Sequence, residues 1–153
     1  MPEIRCRFRR ETSPPYFSAA SLTAMTLNEA FIASTHRSLN ATDIRALLST
    51  RPESPQDALD GFALEIAQMY ATRQVDFTAA DAVANVMFAF AAQQACLGST
   101  LHAVFLAFDA GEFTPPDAPQ EADAQSKYTR PQIAKIIAGV VRSNKSLERT
   151  RGR

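Results

Sequence analysis

The chain has 153 residues, 46% of them apolar, enough for one packed domain but too few for two, and too apolar for a disordered polymer. Five glycines and no tryptophan argue against a turn-rich β sandwich. The net charge of zero hides a segregation: residues 1–10 hold four arginines and one glutamate, residues 127–153 eight lysines or arginines and one glutamate, and the stretch between them four arginines against fourteen acids. An acidic body bracketed by basic ends implies either that the ends fold back on it or that body and ends meet different partners.

The N-terminal "MPEIRCRFRRETSPPYFSAASLTA" lacks the apolar run of a secretory signal, and Glu3, Glu11 and Pro14–Pro15 break the helix of a mitochondrial presequence. Residues 1–24 are therefore expected to form a flexible basic arm on a cytoplasmic protein. Cys6 and Cys96 are expected to be thiols, a disulfide between them being the alternative.

From there the chain repeats helix-start signals. "TLNE" sets Thr26 three residues before Glu29, and "NATD" sets Asn40 before Asp43, so each cap oxygen and each acid can exchange backbone bonds. The helices they open, over 26–34 and 40–49, carry Leu27, Phe31, Ile44, Leu47 and Leu48. "SPQD" offers Ser54 as cap, Pro55 at the first helical position and Asp57 at the third. The following Leu59, Phe62, Ala63, Ile66, Met69 and Tyr70 form one apolar stripe over 54–73.

"TAAD" then places Thr78 before Asp81 and opens a run without Asp, Glu, Lys or Arg from Ala82 to Phe108. A membrane helix needs about 20 continuous apolar residues, and Asn85, Gln93, Gln94, Gly98-Ser99-Thr100 and His102 interrupt this one. The run is expected to be two core helices, about 78–97 and 100–110, with Gly98 as a left-handed cap of the first and Ser99 or Thr100 opening the second. Phe88, Phe90, Phe105 and Phe108 lie at core spacing. Residues 114–126, "TPPDAPQEADAQS", are expected to be an acidic loop. "TRPQ" opens a last helix over 130–143, with Ile133, Ile136, Ile137, Val140 and Val141, before a basic tail at 144–153. No period-2 alternation occurs. The fold is predicted to be all-α, a single-domain bundle of about six helices around the central apolar hairpin.

Chemistry is harder to find. Asp76, Asp81, Asp109 and Glu112 fall near one pole of that hairpin, where they suit a divalent cation or an acid–base pair, or else capping and solvation. In the second reading Asp81 completes a capping box and Gly111 ends its helix. Asn85 is expected to bond a neighbouring backbone or carboxylate group, His102 to be a boundary residue, and His36 to be exposed. There is no nucleophile elbow, glycine-rich phosphate loop or zinc spacing. No catalytic residue, metal or cofactor is assigned, and the protein is not expected to be an enzyme.

The C-terminal "TRPQIAKIIAGVVRSNKSLERT" is similar to a helix-turn-helix, with "RSNKSLERT" as recognition helix. It departs from that pattern because Gly139 follows Ala134 by five positions where four are usual. Nucleic-acid binding through 127–153 therefore stands as an alternative, with Arg142, Lys145, Arg149 and Arg151 as phosphate contacts.

"VFLAFDAGEF" and, past the acidic loop, "KYTRPQIAKII" resemble small uncharacterised all-helical bacterial proteins over residues 54–140. The residues that carry the likeness are Phe108, Asp109, Gly111, Glu112, Lys127, Tyr128, Thr129, Arg130 and Pro131. By analogy of size and acidity the chain also resembles immunity proteins, which implies a binding function and a basic protein as partner. Within the motifs, Arg130 is expected to pair with Asp109 or Glu112 while Tyr128 packs across the corner. The alternative makes Asp109, Glu112, Tyr128 and Arg130 an exposed recognition patch.

Overall fold

The computed structural model describes residues 24–113 and 123–151, with side chains described as far as Leu147. The proposed N-terminal arm and most of the acidic loop lie outside the described residues, as does Cys6. Among the described residues six α-helices follow one another: α1 (Leu27–His36), α2 (Ala41–Leu48), α3 (Pro55–Ala71), α4 (Phe77–Gln93), α5 (Ser99–Glu112) and α6 (Arg130–Arg151). Among the described residues there is no strand. The expected all-α domain is what forms.

The first three helices begin where local chemistry places them. Thr26 and Glu29 exchange bonds at the head of α1, and Asn40 and Asp43 do so at the head of α2. Asp43 is also gripped by both guanidinium nitrogens of Arg37, at 2.6 and 2.7 Å. That pairing holds its carboxyl below the usual range, against the opposing effect of burial. Ser54 caps α3 by accepting from the Asp57 amide, with Pro55 in the first turn.

Helices α3, α4 and α5 pack on one another; α1 and α2 cover α4, and α6 lies across α3 and α5. Leu59, Ile66, Met87, Leu101, Val104 and Phe108 fill the space between them with almost no exposure. Tyr70, Phe77 and Phe108 close one end as three rings with centroids 5.2–6.2 Å apart, Tyr70 edge-on to both phenylalanines and these tilted on each other. No described helix is long and apolar enough to cross a membrane.

The hairpin turns differently from expectation. Helix α4 is capped by Asp76, whose carboxylate accepts from the Ala79 amide at 2.8 Å, so the helix starts before Thr78 and Asp81 caps nothing. It ends at Gln93. Ala95, with φ of 52°, takes the left-handed position assigned to Gly98. Cys96 and Ala95 then donate back to Ala91 and Ala92, closing the helix in a Schellman motif.

Gly98 has an ordinary φ of −86° and is the N-cap of α5, where it has no side chain to offer. Asp60 of α3 supplies the missing oxygen, accepting from the Leu101 amide at 2.8 Å. A Cβ on Gly98 would fall on that carboxylate, which is why glycine suits the position. Asp60→Ala is expected to cost about 1–2 kcal/mol of stability, and Asp60→Asn much less, since the amide oxygen still accepts. Urea unfolding of the two variants checks this.

The last helix also departs from expectation. A π-helical turn over Gln125–Thr129 runs directly into α6, so helical structure begins inside the segment expected to be loop. The Thr129–Gln132 capping box does not form. Thr129 is fully buried instead, and the Arg130 amide donates to Gln125. Helix α6 passes unbroken through Gly139 and continues to Arg151 rather than fraying after 143. That continuity rules out the helix-turn-helix: no turn separates the two proposed helices.

Candidate functional site

At the pole shared by the start of α4 and the end of α5, the structure brings three of the four predicted carboxylates together. Asp81 is only 8% exposed. One of its oxygens accepts from the Asn85 amide at 2.9 Å, a turn along the same helix, as expected for Asn85. The other oxygen is buried and, among the described residues, receives no hydrogen bond. Burial, the Glu112 carboxyl within hydrogen-bonding reach and the nearby Asp109 together push Asp81 up to about 7.

Asp81 therefore keeps its proton well above the usual carboxylate range. Asp76, the fourth carboxylate, is taken up by the α4 cap. Among the described residues no three His, Cys, Asp or Glu side chains are grouped so as to hold a metal ion.

Gly111 is not the end of its helix. It is buried inside α5, where a Cβ would fall on the Thr129 hydroxyl and within 2.9 Å of the Phe77 ring. The π-helical turn presses Thr129 into that gap.

Arg130 turns away from the acids. Its guanidinium lies over the Tyr70 ring, 5.2 Å from the centroid. The ion pairs among the described residues are Arg37–Asp43, Arg51–Glu53 and Arg51–Glu65; the expected Arg130 pairing with Asp109 or Glu112 is not one of them. Tyr128 is half-buried with the Lys127 ammonium 5.0 Å from its ring centroid. The four residues of the predicted patch therefore do not form one cluster: the acidic pair lies on α5, Arg130 sits over Tyr70 of α3, and Tyr128 lies beside Lys127 on the π-helical turn.

The acidic pair belongs to a surface that the sequence reading missed. Helix α5 was expected to be covered on most sides, yet one face is open. His102, Leu106 and Asp109 follow at intervals of four and three, and Phe105 lies three after His102, so these four share one side of the helix. Phe113 follows just past the helix end, on extended backbone. Leu106 is 45% and Phe113 66% exposed. Phe105 stacks on Phe88 of α4 at 3.9 Å, and His102 lies beyond Phe88 at 6.0 Å, widening the face with half-buried aromatic area. The signal was present as a second stripe opposite Leu101, Val104, Phe108 and Gly111.

At the far end of the molecule, residues 141–147 of α6 are all exposed, Arg142 and Lys145 included. Arg149 and Arg151 lie on the last turn, beyond the described side chains.

Comparisons with protein-family models, with curated proteins and with solved structures find no match to this chain.

Proposed function

We propose that the protein works by binding another protein through the open face of α5. The observation that carries this reading is the pair of exposed apolar side chains, Leu106 on α5 and Phe113 just past its end, with Asp109 between them in the chain. Large apolar side chains left uncovered close together in the chain, with a charged residue between them, have the makeup of a protein-binding surface. Asp109 and Glu112, on a body with a large excess of acids, favour a basic partner drawn in by electrostatic attraction. An immunity-like role, in which a small acidic bacterial protein covers a toxin, is the biological form of this reading.

The test is capture from a lysate of the source cell by the full chain and by three variants, Leu106→Ser, Phe113→Ser and Asp109→Lys. All three alter exposed positions, so melting temperatures are expected to stay close to the parent's. The expected result is a basic protein recovered at low salt, weakened by high salt and lost in each variant. Capture that ignores all three substitutions, or self-association through the face in sedimentation, overturns the reading.

A second reading rests on the exposed basic end of α6. Arg142 and Lys145 are open to solvent there, and such a helix can meet phosphates without a helix-turn-helix. A gel shift by the full chain that disappears on truncation after residue 140 would favour it.

A further inference from the structure

A cavity of about 310 Å³ opens where the α3–α4 connection meets the π-helical turn, at the small end of the range for ligand sites. Tyr70, Arg73, Gln74 and Asp76 line it on one side, and Gln125 and Arg130 on the other. Arg73 is held there by backbone geometry. It is the left-handed residue of a Schellman motif, with φ of 60°, and Gln74 and Arg73 donate to Met69 and Tyr70 at 2.8 and 3.1 Å. Arg130 comes from the opposite wall, where the π-helical turn ends and α6 begins. Single π turns of this kind recur at binding sites.

Neither guanidinium is ion-paired among the described residues. The carboxylates nearby are already engaged. Asp76 accepts from Ala79 at the start of α4, and Asp123 accepts from the Gln125 amide at 3.0 Å and the Ser126 hydroxyl at 2.6 Å. Asp123 acts on Arg130 through space without a direct bridge. Apart from these two carboxylates, the polar groups around the arginines are neutral: the Tyr70 hydroxyl, 3.5 Å from the Gln125 amide oxygen, and the Gln74 amide, which donates to Thr72 at 3.0 Å.

Two planar, permanently charged forks facing one cavity match the oxygens of a carboxylate or phosphate better than they match each other. We infer that this cleft binds a small organic anion, its carboxylate or phosphate held between Arg73 and Arg130 and its hydroxyls met by Tyr70 and Gln125. The site is separate from the open face of α5, so either can fail without the other.

Calorimetric titration of the full chain with inorganic phosphate and, separately, with succinate tests it, at ionic strength held constant with sodium chloride. At least one probe is expected to bind in the millimolar range, and whichever binds identifies the head group. Arg73→Gln and Arg130→Gln are each expected to weaken that binding about tenfold or more. Arg45→Gln, which alters a cation over Phe90 instead, is expected to leave it unchanged. Arg73 is exposed, so its variant keeps the test sound even if loss of the Tyr70 contact lowers the stability of the Arg130 variant. No heat above the chloride control with either probe, or binding that survives in the Arg73 variant, overturns the inference.

Discussion

Asp81→Asn is expected to stabilise the protein, by an amount that grows as pH rises. In the unfolded chain Asp81 ionises near its ordinary value of 3.8, and in the folded protein at about 7. Between these values the folded state keeps a proton that the unfolded state has released, so each step up in pH favours unfolding. The contribution of Asp81 is thus most favourable below the unfolded value, declines through the window and is least favourable above the folded one. A full shift is worth about 1.4 kcal/mol per pH unit, and solvent at the exposed Glu112 and Asp109 screens part of it, so a net loss of roughly 2–3 kcal/mol is expected.

Asparagine removes the charge and keeps the geometry. Its oxygen still accepts from Asn85, and its amide can donate to Glu112. Urea unfolding of parent and variant should give nearly equal stability at about pH 4 and a variant more stable by roughly 2 kcal/mol at about pH 8. A difference that does not change with pH would show that Asp81 carries no displaced proton.

Gly111→Ala should act in the opposite direction, costing about 1–3 kcal/mol at every pH. The added methyl would fall on the Thr129 hydroxyl and against the Phe77 ring, and Phe77 is in turn packed on Tyr70 and Phe108. Relief requires α5 and the π-helical turn to move apart, which opens the aromatic end of the core. Gly139→Ala is the matching control. A Cβ there meets nothing within 4 Å, so alanine should be neutral or should stabilise α6 by up to about 1 kcal/mol. Thermal melts of the two variants separate crowding from helix propensity. Equal effects would refute the close approach at Gly111.

Much of the architecture was legible along the chain. The boxes at Thr26 and Asn40 and the Ser54–Pro55 start sit where short-range bonding puts them, because donor and acceptor lie three residues apart and need no distant partner. The helical period of the apolar residues likewise marked all six helices, since each must turn one face inward. Where two local readings competed, contacts from afar chose between them. Asp76 took the α4 cap from Thr78, and Thr129 left its own capping box for the gap at Gly111.

The sequence by itself therefore determined the helices, their approximate starts and the all-α class, for these depend on neighbours within one turn. Only the tertiary structure decided that Gly98 is needed for the approach of Asp60, that the buried Asp81 meets the exposed Glu112, that Arg130 faces Tyr70 rather than the acids, and that α5 keeps one side uncovered. Each of these depends on how two helices far apart in the chain are rotated against each other. Their rotation is set by the packing of the whole core, and no short stretch of residues records it.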